Sequence, residues 1–146
     1  MEDVSGTGTT LTIASSITYP MGITISRWAD DSDPFDVQES QLAEYGMGLN
    51  GDLVINRKPT GTELVVAVIP GTEEEIALSA IAEAARISKD KISYHEIITA
   101  TINYPDGSSR VFKNGTIIAA PMATGIANNG RKKTKLFRFV FEGIVA

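Results

Sequence analysis

The 146-residue chain has no cysteine and a single histidine. Without cysteine there are no disulfides and no thiolate metal ligands, and the redox compartment is left open. The lone histidine, His95, lies in "SYHEIITATINY", where alternation predicts a strand, so a Ser–His–Asp triad has only a strand histidine to use as its base. No apolar run reaches the roughly 18 residues of a bilayer span, and the acidic start "MEDVSGTGTT" is unlike a secretory signal. A soluble, unprocessed chain with no membrane partner is the expectation. Carboxylates and hydroxyls are what remains for chemistry. Asp31 and Asp33 stand two residues apart in a proline-containing loop, which lacks the dry, rigid setting that splits two carboxyl pKa values, so no enzyme and no cofactor is expected. "DDSDPFD" clusters carboxylates as hard cations like, but no glycine occupies the sixth loop position and Pro34 interrupts the backbone ligands, so no metal site is expected either. "GTGTT" has the glycines of a phosphate cradle without its lysine or flanking elements.

What is present is β pattern. "TTLTIASSITY" sends Leu11, Ile13 and Ser15 to one face, and "MGITISRW" aligns Ile23 with Ile25. "ADDSDPFDVQES" breaks the alternation with four aspartates around Pro34 and reads as a long acidic loop over about 29–42 that forms no ladder. Glycines 46, 48 and 51 mark a hairpin, with Asn50–Gly51 as its two-residue turn signal. "TELVVAVIP" follows as an apolar strand stopped by Pro70. One helix is predicted over about 73–87: Thr72 and Glu75 form a capping box, and Glu73, Glu74 and Glu75 put negative charge at the positive end of the helix dipole. Ile76, Ala80, Ala84 and Ile87, flanked by Ala77 and Ile81, form its expected apolar face, with the glutamates in capping and solvation. Strands return in "HEIITATINY", in "SSRVFK" after the turn "PDG", in "TIIAAPMA" after the turn "NG", and in "KLFRFVFEGI". The fold class is therefore mainly β: a single domain over 1–146, an antiparallel sandwich or barrel of about eight strands with one flanking helix.

Charge is segregated along the chain. Residues 1–83 hold fourteen acids and three bases, and residues 84–146 hold four acids and ten bases. Five of those bases, Arg131, Lys132, Lys133, Lys135 and Arg138, fall in "GRKKTKLFRFVFEGI". One reading is a monomeric β-barrel that grips single-stranded nucleic acid through residues 131–138. Such a site needs exposed aromatics for stacking, whereas Phe137, Phe139 and Phe141 alternate as core residues of a strand do. The other reading pairs the basic turn with the acidic half of a second copy, head to tail. The opposite face of that strand, Leu136, Arg138, Val140, Glu142 and Ile144, is only half polar and suits cover by a neighbouring subunit.

The order of these features resembles a known family. "GMGLNGDLVINRKPTGTELVVAVIPGTEEEIALSAI" and "GRKKTKLFRFVFEGI" look like the central and closing elements of phage tail tube proteins of the contractile-tail type, relatives of bacteriocin and type VI secretion tube proteins. The resemblance covers residues 8–144 in element order and those two segments in residue type. It implies homo-hexameric rings, stacked into the inner conduit through which DNA leaves the capsid. It also implies sheath, baseplate and tape-measure proteins as partners, and a place in the virion tail after assembly in the host cytoplasm. An acidic conduit suits DNA that must slide past unheld, because every phosphate contact adds affinity by counterion release. In this scheme Asp30, Asp31, Asp33 and Asp36, in the loop from Asp30 to Gln41, meet Arg131, Lys132, Lys133 and Lys135 across copies, and Glu44, Asp52, Glu63 and Glu96 are candidates for the lumen.

Overall fold

A computed structural model describes residues 5–28, 30, 33–92 and 96–145. Among these are nine strands and one helix. A seven-stranded sheet, every neighbour antiparallel, runs β2 (Ile23–Ile25), β1 (Thr10–Ser15), β7 (Ile98–Asn103), β8 (Ser109–Ala119), β9 (Lys135–Val145), β6 (Thr62–Val68) and β3 (Phe35–Val37), and curls into a half-barrel. The expected mainly β architecture is thus observed, with α1 (Glu73–Ala85) packed into the concave side. Alternation sorts the side chains as the sequence pattern requires. Leu11, Ile13, Leu64, Val66, Ile98, Ala100, Ile102, Phe137, Phe139 and Phe141 go to the core, while Thr10, Thr12, Thr99, Thr101 and Thr116 turn outward. His95 lies outside the described residues.

Four expectations need correction. The acidic loop does form a ladder: β3 adds to the sheet edge beside β6, and Phe35 packs against the core. Pro34 is tolerated because it sits just before an edge strand, where it gives up no ladder N–H and still accepts from the Ala67 N–H at 2.9 Å. Asn114–Gly115 is a bulge inside the continuous strand β8, not a turn: Asn114 takes φ 56°, and the β7–β8 register slips by one residue there. Gly115 is dictated by packing, since a Cβ at that position would lie 2.8 Å from the Val140 carbonyl oxygen and closer still to the Phe141 ring.

The Asn50–Gly51 turn is wider than two residues. Gly48 N–H donates to Asp52 O at 2.7 Å, and Gly51 adopts positive φ while Asn50 does not. Finally, α1 buries Ala77, Leu78, Ile81 and Ala82, whereas Ile76 is 60% exposed and Ile87 lies beyond the helix end, exposed. Alanines surround this helix, so its apolar periodicity is weak, and contacts choose the face. Thr72 does cap it, its Oγ1 accepting from Glu75 N at 3.2 Å.

Candidate functional site

The hairpin β4 (Glu44–Met47) and β5 (Leu53–Asn56) forms a second, two-stranded sheet of its own. Its register places Tyr45 opposite Ile55 and Met47 opposite Leu53, which gathers four apolar side chains on one face. All four are exposed, Tyr45 by 78%, and Leu49 at the turn is fully exposed. An isolated two-stranded ribbon is marginal in water, and an apolar face on it is a surface awaiting cover. The sequence pattern marked the hairpin by its glycines. The alternation Tyr45, Met47, then Leu53, Ile55 was the signal for its apolar face.

The acidic and basic groups expected to meet across copies are partly joined within one chain. Arg131 forks onto the Asp30 carboxylate, with Nη1–Oδ2 at 3.1 Å, and that hydrogen bonding holds the Asp30 carboxyl below the usual range. Asp31 lies outside the described residues. Asp33 is exposed, and Asp36 accepts from Gln38 Nε2 at 2.8 Å. The basic turn is a small hairpin, with Ala127 N–H donating to Arg131 O at 2.8 Å and Gly130 at φ 85°. Lys132 and Lys133 on it are exposed and have no ion-pair partner among the described residues.

Lys135 belongs to the core face of β9, in phase with Phe137. Its ammonium donates to the Glu75 carboxylate in a buried ion pair, both residues under 9% exposed. Ser79 Oγ donates to the same carboxylate at 2.9 Å. Burial pushes the Glu75 carboxyl up, but the hydrogen bonds from Lys135 and Ser79 and the ammonium charge prevail and hold it below the usual range. The period-two pattern of the phenylalanines, extended one step back, was the available signal for this inward lysine.

The four lumen candidates stand in three places. Glu44 pairs with Lys58 at 3.0 Å at the foot of the hairpin, and Asp52 is exposed at its turn. Glu63 lies on the outer face of β6 opposite Val140. Glu96 accepts from the Thr18 N–H at 2.6 Å and from its hydroxyl, tying down the loop between β1 and β2.

An apolar pocket of about 390 Å³ is lined by Trp28, Pro34, Phe35, Tyr104 and Pro105. Trp28 spends its indole N–H on Thr9 O at 3.3 Å, and Asp106 is bonded to Ser108. No cluster of metal-ligating side chains occurs among the described residues, and no helix among them is long and apolar enough to cross a membrane.

The fold is that of a mainly β protein built on one curled antiparallel sheet. Residues 2–145 match the model of the tail fiber protein gp32 family, and the chain belongs to that family. It is a phage-tail-like structural protein, although the family's description names a tail fiber and not an inner tube. Two solved assemblies share the fold. One is the PVC sheath/tube terminator of an extracellular contractile injection system in its extended state. It superposes with a TM-score of 0.53 at 10% identity, over 99% of this chain and 96% of that one. The other is the anti-feeding prophage cap, a tube-terminating cap, with a TM-score of 0.52 at 8% identity over 99% and 91% of the two chains. No curated protein matches the chain by sequence.

Proposed function

We propose that this protein is a ring-forming subunit on the axis of a phage-like tail, seated at the end of the tube as a terminator or cap. The observation that carries this reading is the open half-barrel: its edge strands β2 and β3 are three residues each and unpaired on their outer sides among the described residues, and an apolar ribbon projects beside one of them. Edges of this kind are closed when each copy pairs with the next around a ring. The fold shared along nearly the whole chain with a tube terminator and a tube-terminating cap supports the position on the tube.

Six copies per ring, stacking of rings and passage of DNA through the lumen follow from the tail-tube resemblance. The sheath, baseplate and tape-measure proteins follow from it as neighbours. The basic segment offers DNA no stacking surface, because its phenylalanines are buried, and two of its five cations are engaged within the chain, Arg131 by Asp30 and Lys135 by Glu75. Negative-stain imaging with light scattering on the purified chain tests the reading. Rings or short tubes are expected as concentration rises, and a chain that stays monomeric at every concentration sinks it.

A further inference from the structure

The strand register fixes where the hairpin sits relative to the basic turn. Thr62 stands opposite Phe141 and Val68 opposite Lys135, so the hairpin, which leads into Thr62, leaves the sheet at one end. The segment 120–134, which leads into Lys135, leaves it at the other. At that second end the last turn of α1 and the end of β8 leave a groove of about 250 Å³, lined mostly by apolar side chains, among them Ala82, Ala85, Ile117, Ile118 and Met122, with Arg86 at its edge. Met122 and Ile118 are half exposed there, and Lys132 and Lys133 are carried on the same connecting segment.

One chain therefore displays an amphipathic apolar ribbon with Asp52 at its turn on one end, and on the other an apolar groove and two ammonium groups that have no ion-pair partner among the described residues. We infer that these are the two halves of one contact: the apolar face of the hairpin of one copy seats in the α1–β8 groove of a second copy, with Asp52 toward Lys132 and Lys133. Each surface differs from the one it meets, so the contact is heterologous, and it closes into a ring where the rotation between copies allows. It rests on the ring reading above, for which it supplies the contact between copies.

Docking would cover the Tyr45–Ile55 and Met47–Leu53 pairs, and the exposed charges at its rim would set orientation and salt dependence more than strength. It needs no change in either fold, because the ribbon stands apart from the core sheet and the groove is preformed.

The absence of cysteine makes the test direct. Leu53→Cys and Met122→Cys are made in chains of different length, mixed, and oxidised under assembling conditions. A mixed disulfide dimer is expected, with neither variant cross-linking to itself. As a second arm, Leu53→Asp should raise the concentration needed for assembly by more than about tenfold, as loss of a buried anchor does. The helical circular dichroism and the melting temperature of the monomer should stay at the native values. Asp52→Lys and the pair Lys132→Glu, Lys133→Glu should each impair assembly and should restore it in combination.

Particles that assemble without the 53–122 link, or with 53–53 links instead, overturn this contact and leave the ring reading standing. A native chain that never assembles overturns both.

Discussion

Glu75 and Lys135 form a buried ion pair between α1 and β9. A buried ion pair is no great source of stability, because desolvating two charges offsets their attraction, yet removing one partner strands the other. Glu75→Gln should therefore cost about 3–5 kcal/mol in urea unfolding at neutral pH. The double variant Glu75→Leu, Lys135→Met should recover most of that loss. The pH dependence has a definite sign. The Glu75 carboxyl titrates lower in the folded chain than its ordinary value of 4.5, so its contribution is whole above about that pH and is lost as pH falls through the folded value. Stability measured across an acid series should fall less steeply for Glu75→Gln than for the native chain, and parallel acid limbs would rule the pair out as the cause. The glutamate triplet looked uniform in sequence. Only its third member, on the turn that faces β9, meets a partner inside.

Among the elements, β8 and the hairpin show what local signals do and do not say. Asn-Gly is a turn dipeptide because both residues tolerate positive φ, but the same tolerance serves a bulge, and the long partners β7 and β9 hold β8 in one strand. Gly115→Ala should destabilise the fold by about 1–3 kcal/mol through the clash with Phe141. Asn114→Gly, which keeps the positive φ, should leave the melting temperature nearly unchanged. The hairpin was legible as a hairpin from Gly46, Gly48 and Gly51. Its detachment was not, since nothing in its own residues says whether another element lies over Tyr45 and Ile55. Replacing residues 44–56 with a short glycine–serine loop should leave the thermal midpoint of the monomer within a few degrees of native while abolishing particles in negative stain. A collapse of the midpoint would show that the ribbon belongs to the core.

For the whole molecule, the charge asymmetry visible along the chain is partly consumed within it. Asp30 takes Arg131 and Glu75 takes Lys135, which leaves Lys132 and Lys133 as exposed cations of that turn without an ion-pair partner among the described residues. Reversal of both to glutamate should impair assembly most at low ionic strength, where the Debye length is long, and the deficit should shrink as salt is added. Light scattering across a salt series reads this out, and assembly of the variant indistinguishable from native at low salt would remove these two lysines from the interface. Duplex DNA should pass a column of the assembled protein without retention, in keeping with a net charge of −5.

The sequence alone settled the mainly β class through alternation along β1, β7 and β9 and the apolar run of β6, the helix start through the cap at Thr72, and the three phenylalanines as core, because period and capping are local properties that a chain carries with it. Composition equally set the excess of acid in one half and of base in the other. Tertiary structure decided which face of α1 is buried, that Pro34–Val37 ends as an edge strand, that Lys135 turns inward to Glu75, and that the hairpin stands bare. Each of these depends on what comes to lie beside a residue from far away in the chain. Burial, pairing and exposure are properties of such neighbours.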